Sequence, residues 1–409
     1  MKTQRPAIPR LAALAAALLL TACGSRPTRP EPPPALVEMD PIVVEYDVDA
    51  DEGERVSAYD AQSLFEDGRD AFERHDFAAC ELAYGRLIER FPESPYTHVA
   101  LYNRGLCLEQ LGEHGRAATH FRRHAQLATE LRDQRDGEFR WGYNLIKTGD
   151  YPTAVALYDR LLAAEDLQPL DRAECHLRRG VARARLGRPG EAERDLKASL
   201  SYTEEGTEGF VQGSELYAEA HFRRGEIYQR LAHGVGLKLP VQKMKADLDD
   251  KVRFFRQAQE SYITALNVQH SYWATAAGLK LGELYEQFYL DVLRAEVPQD
   301  FDPETRRFYF VELRKQLQPL LEQSLAIYEK NITMSERIGA RNEWVAETET
   351  RLTRLRGLLE ASERGDAVEL PPNPGEVEAV PPLPKPAPPE AAPPALPPAL
   401  PPELPPGHG

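Results

Sequence analysis

Chemistry needs particular side chains at particular spacings, and four groups among these 409 residues raise the question of what they do. His120 and His124 in HFRRH stand one helical turn apart, with His114 nearby in a turn. Two imidazoles at i and i+4 can share a zinc ion. Arg122 and Arg123 lie between them, however, and no third ligand is evident, so a solvated helix face is favoured and no metal is expected. Cys80, Cys107 and Cys175 fall at small or apolar positions of helical segments; buried thiols are the default, and a Cys80–Cys107 disulfide stays open. Carboxylates on an arginine-rich helical surface are more often ion-pair partners than general acids and bases. Phosphate-cradle, dinucleotide, nucleophile-elbow and zincin motifs do not occur. The sequence therefore suggests no enzyme, no cofactor and no small-molecule substrate. The fourth group is Cys23, where the apolar run LLLTAC ends.

Lys2, Arg5 and Arg10 precede LAALAAALLLTA, the order of an export signal. The run is too short to span a bilayer, which takes roughly 17 to 25 residues. Leu20-Thr21-Ala22-Cys23 resembles the lipobox of bacterial lipoproteins. The resemblance implies cleavage after residue 22, a diacylglycerol on the Cys23 sulfur and a further acyl chain such as palmitate on its amino group. At about 0.8 kcal/mol per buried CH₂, three chains anchor a protein almost irreversibly. Gly24, rather than Asp, implies passage to the outer membrane, facing the periplasm. A free cysteine in a secreted protein is the plainer alternative. The net charge is −15 and becomes more negative once Lys2, Arg5 and Arg10 are removed, so no electrostatic footprint for nucleic acid or anionic lipid headgroups remains.

Composition divides the chain into zones. After the signal peptide at 1–22, residues 23–57 are proline-rich and acidic (RPTRPEPPP, EYDVDADEGE) and read as a tether. Within them PIVVEYDV, residues 41–48, alternates enough to form an extended strand. Residues 58–364 are charged and periodically apolar, the folded part. Residues 365–409 form a tail in which positions 371–409 hold 17 of the 34 prolines, a composition expected to be disordered and to sample polyproline II.

The elements that must carry any function repeat. LFEDGRDAF, LYNRGLCLE, EFRWGYNLI, HLRRGVARA, HFRRGEIYQ and GLKLGELYE centre on Gly68, Gly105, Gly142, Gly180, Gly225 and Gly282. After each of the first four glycines a small residue (Cys80, Ala117, Ala154, Ala192) and then a bulky one (Tyr84, Phe121, Tyr158, Leu196) recur at fixed offsets. This resembles the tetratricopeptide repeat (TPR), as do Pro92 and the Gly149-Asp150-Tyr151 turn, although the usual early tryptophan is missing. The resemblance implies an all-α helical solenoid of about six repeats. The last two are longer, each expected to insert a loop and an additional helix, and residues after 340 read as a capping helix fixed by Trp344.

An apolar residue stands three positions before each glycine: Phe65, Tyr102, Phe139, Leu177, Phe222 and Leu279. In TPR proteins this place faces a concave groove that holds peptides, which makes the six a candidate partner-binding stripe. The competing reading, that the stripe packs between helices, has equal standing. A third is that residues 41–48 fill the groove in cis.

Residues 270–345, from HSYWATAAGLKLGELYEQFYLDVLRAEVP to ARNEWV, resemble the outer-membrane TPR lipoproteins of the myxobacterial adventurous gliding-motility complex. That resemblance implies a non-catalytic, lipid-anchored scaffold that binds envelope proteins. FERHDFAACELAYGRLIERFPESPYTHVALYNRGLCLEQLGEHGRA equally resembles the lipoprotein of the β-barrel assembly machine and the periplasmic coordinator of cell-wall synthesis. The rival from another class is a periplasmic small-molecule-binding protein or enzyme.

Overall fold

Antiparallel helix pairs follow one another, and in the first four the turn between the partners is built the same way. Gly112, Gly149 and Gly187 adopt left-handed φ angles of 76°, 84° and 74°, and His75 takes the equivalent place with φ 60°. In two of these turns an aspartate follows and caps the next helix: Asp76 accepts from the Ala79 N–H at 3.1 Å and Asp150 from the Thr153 N–H at 3.3 Å. The computed structural model describes residues 41–49 and 53–363. The signal segment, Cys23 and the proline-rich tail lie outside the described residues.

The helices run α1 (Ala61–Glu73), α2 (Phe77–Arg90), α3 (Thr97–Gln110), α4 (His114–Leu127), α5 (Leu131–Thr148), α6 (Tyr151–Leu162) and α7 (Pro169–Arg185). They continue as α8 (Pro189–Gly206), α9 (Glu215–Gly234), α10 (Val241–Asn267), α11 (Ser271–Leu293), α12 (Pro303–Ile338) and α13 (Glu343–Glu363). Odd-numbered helices α1 to α11 are the first members of six pairs, and α13 follows the last pair.

The glycine in each first helix seats a bulky side chain of the second. A Cβ at Gly105 would stand 2.7 Å from the Phe121 ring, and one at Gly68 2.7 Å from the Tyr84 ring, so glycine is what lets the two backbones approach. Tyr84, Phe121, Tyr158 and Leu196 are all at most 1% exposed. The longer pairs use the same device: Tyr262 packs on Gly225 and Tyr328 on Gly282, each four residues after a buried small residue, Ala258 or Ser324.

Their extra residues do not form separate helices, contrary to expectation. After a short loop each addition is continuous with the second helix, giving α10 27 residues and α12 36. VQKMKADLDDKVRFFRQAQ holds no glycine or proline to interrupt α10. In α12, Asp302 caps the start by accepting from the Glu304 and Thr305 N–H groups, both at 2.9 Å. Leu313, Leu317, Leu320 and Leu321 pack this extension on Tyr289, Leu290 and Leu293 of α11, and the helix passes through Pro319.

Residues 41–48 are extended, as their alternation suggested, but they pair within the chain. Strand β1 (Val43–Asp49) runs antiparallel to β2 (Gly53–Tyr59), in register from Val43 opposite Tyr59 to Asp49 opposite Gly53. The stretch expected to be tether to residue 57 therefore contains a hairpin. The segment through Ser63 and the solenoid from Leu64 onward are separate units.

Candidate functional site: a groove on the first helices

The six stripe residues divide into two groups. Leu177, Phe222 and Leu279 are 0%, 0% and 1% exposed, so for these three the groove expectation is corrected and the packing alternative holds. Leu177 sits among Ala192, Leu196 and Ala220, and Leu279 among Tyr328 and Leu355. Phe222 is covered by aromatic rings: Trp273 at 5.1 Å, Tyr262 at 5.8 Å and Trp344 at 5.8 Å. Trp344, expected to pack the last helix onto the one before it, has its ring contacts further back, with Phe222 on α9 and Tyr272 on α11. In doing so it closes the stripe at the fifth pair.

Phe65, Tyr102 and Phe139 are only partly buried. Phe65 lies against Tyr96 at 5.2 Å and Tyr84 at 5.7 Å. Tyr102 and Phe139 line an open groove of about 800 Å³ between α3, α5 and α7, together with Tyr143, Arg140, Arg178 and Asp171. Tyr102 is held edge-on by Phe121 at 5.3 Å, with His124 at 5.1 Å beneath it. Tyr143, one turn after Phe139, faces the Arg178 guanidinium at 5.8 Å and the Lys147 ammonium at 5.3 Å.

Most of the positive charge in this groove is already engaged. Arg135 pairs with Asp166 at 2.6 Å, and Arg140 with Glu109 at 3.1 Å. Arg178 pairs with buried Glu219 at 2.9 Å and with Glu174 at 3.5 Å. Burial works against the Arg178 charge, but Glu219 and Glu174 outweigh it and hold the group protonated. On the acidic side, burial pushes the Asp171 carboxyl up, neighbouring Asp136 adds to this, and Arg135 only partly opposes it. Among the described residues neither Asp136 nor Asp171 has an ion-pair partner. The groove thus offers aromatic faces beside two carboxylates that exceed its one unpaired guanidinium, Arg132, a surface suited to an extended peptide with an apolar and basic character.

The three histidines weighed as zinc ligands turn to different neighbours. His114 meets Asn144 at 2.9 Å, His124 stacks on His98 at 4.0 Å, and burial among Arg104 and Arg116 lowers His120 to about 4. Cys80 and Cys107, for which buried thiols were the default, form a disulfide between α2 and α3, with Cα atoms 6.1 Å apart. Cys80 occupies the small-residue position that Ala117, Ala154 and Ala192 hold in later pairs. Cys175 remains a buried free thiol, pushed up by burial. Sequence reasoning missed Tyr143, Asp171 and Arg178. Only Tyr143 left a signal, its i+4 spacing from Phe139.

Stacked antiparallel pairs with a groove on their first helices define an α-solenoid. Residues 65–131 and 139–208 match the tetratricopeptide repeat family, and the fold is a TPR solenoid. Solved structures of similar fold include MamA (residue 41 to the end) from Desulfovibrio magneticus, 15% identical, covering 49% of this chain and 96% of that one at TM-score 0.33. A TPR protein from Parabacteroides merdae is 15% identical, with coverage of 72% and 98% and TM-score 0.36. The C-terminal part of a TPR repeat-containing protein from Cytophaga hutchinsonii is 12% identical, with coverage of 75% and 100% and TM-score 0.40. No curated protein matches the chain.

Proposed function

We propose that this protein is a lipid-anchored outer-membrane scaffold whose groove holds segments of other envelope proteins. The gliding-motility machinery is the first assignment, and the β-barrel assembly or cell-wall synthesis machinery is the alternative. The observation that carries the reading is the open aromatic groove at Tyr102, Phe139 and Tyr143, on the face where the same stripe is closed from Leu177 onward. Cys23 after Leu20-Thr21-Ala22 supports the anchor. The Cys80–Cys107 bridge supports an oxidising compartment such as the periplasm, where such bonds persist.

The test uses crosslinked cell envelopes. A chain carrying both Tyr102→Ser and Phe139→Ser stays folded, because each ring is partly solvated, and loses wild-type partners; the identities of those partners decide between the machines. Recovery of every wild-type partner by the folded double variant refutes the groove as recognition surface. Separately, Cys23→Ala leaves the protein unprocessed and absent from outer-membrane fractions. Normal retention of that variant would remove the anchor from the proposal.

A further inference from the structure

The groove's unpaired charges are two carboxylates, Asp136 and Asp171, against one guanidinium, Arg132, and one segment of this chain matches the acidic excess. Beyond Arg364 the sequence contains a single lysine or arginine, Lys385, placed in PPLPKPAP at 381–388. Proline fixes φ, so such a segment loses little entropy on docking, and aromatic-lined grooves are the usual receptors for proline-rich chains. Tyr102, Phe139 and Tyr143 supply the aromatic faces, and Asp136 and Asp171 the unneutralised carboxylates. Overall charge would keep an acidic tail away from an acidic protein, which leaves the lone cation as the point of attachment.

Reach is sufficient. Helix α13 ends at Glu363, and Asp171 on α7 and Asp136 on α5 lie three and four first helices earlier in the stack. At interaxial distances of about 8–10 Å these four steps come to about 30–40 Å. The 22 residues from Glu363 to Lys385 span about 68 Å at about 3.1 Å per residue. A tether of this kind presents its segment at an effective concentration on the order of mM, so a weak intrinsic affinity fills the site.

We propose that residues 381–388 occupy the groove of their own chain, with Lys385 against Asp136 and Asp171, as an intramolecular competitor that a partner must displace. This rests on the groove being the partner surface. The experiment titrates a fluorescein-labelled peptide of residues 379–390 into the full-length chain and follows fluorescence polarisation. Lys385→Glu in the full chain frees the groove and raises affinity for the added peptide at least tenfold over wild type. Adding Asp136→Lys and Asp171→Lys to that variant abolishes the binding, and a peptide carrying Lys385→Glu restores it; circular dichroism confirms that the helices persist.

Equal peptide affinity for wild type and the Lys385→Glu chain overturns the proposal. So does self-association by light scattering that the Lys385→Glu change abolishes, since the tail would then fill a second copy. Failure of the peptide to bind any variant, while Tyr102→Ser with Phe139→Ser still strips crosslinked partners, sinks this inference and leaves the scaffold function standing.

Discussion

His221 makes the protein acid-sensitive in a definable window. It lies in α9 with 8% of its surface exposed; neither ring nitrogen has a hydrogen-bond partner, and its ring meets the Tyr217 ring at 4.8 Å. Burial, with the Arg224 charge adding to it, lowers it from 6.5 to about 4. Below pH 6.5 the unfolded chain takes up a proton that the folded chain refuses. The penalty is therefore absent above pH 6.5, grows as pH falls, and levels off below pH 4. For these two values linkage gives a loss of about 2 kcal/mol at pH 5 and about 3 kcal/mol at pH 4.

The lowered carboxylates act outside this window, and Asp171, which burial pushes up, contributes equally to wild type and variant. In Asp195 and Asp291 burial is outweighed, for Asp195 by His176 and Arg179 and for Asp291 by His233 and Lys251, so both lie below 3.8 and their stabilisation is lost only at lower pH. Urea unfolding of wild type and His221→Gln at pH 7.5 and pH 5.0 isolates the effect. Glutamine costs stability at both pH values, but the variant should lose about 2 kcal/mol less than wild type between them. His120, held down in the same way, keeps some sensitivity in both chains. Equal losses in the two proteins would refute the reasoning and mean that water or a rearrangement satisfies the buried ring.

Two further expectations concern stability. Replacing Cys80 and Cys107 together by alanine should cost about 3.5 kcal/mol, the loop-closure entropy for a sequence separation of 27, seen as a lower urea midpoint; dithiothreitol should reproduce the loss in wild type but not in the variant. His75 holds φ 60° where the later turns have glycine, so His75→Gly should stabilise by about 1 kcal/mol, and a lower urea midpoint would show that the imidazole contributes more than its backbone strain costs.

The helical repeat was legible because its cause is local. Glycine and the bulky residue that fills its vacancy lie at fixed offsets within one pair, and four pairs repeat them at nearly constant spacing. In the last two pairs the additions moved the bulky residue away from its glycine. Tyr262 and Tyr328 could still have been found from the small residue four positions earlier, Ala258 or Ser324. The stripe was harder to judge. Phe139 and Phe222 occupy the same place in their repeats, yet one lines a groove and the other is buried. The difference comes from Trp273 and Trp344, and Trp344 is more than a hundred residues away in the sequence. Likewise the Cys80–Cys107 pairing is a fact about two adjoining helices, invisible to the spacing within either one.

That bridge also has a mechanical side. A solenoid bonded only between neighbouring helices yields to tension one layer at a time from its ends. Pulled from both termini, this chain cannot surrender the residues between Cys80 and Cys107, because the load passes through the sulfurs. At about 3.4 Å per residue, the 27 positions of separation withhold about 90 Å of extension. A stretched molecule would regain that length only under reducing conditions, so the first two repeats act as a stop whose setting is chosen by the redox state of the surroundings.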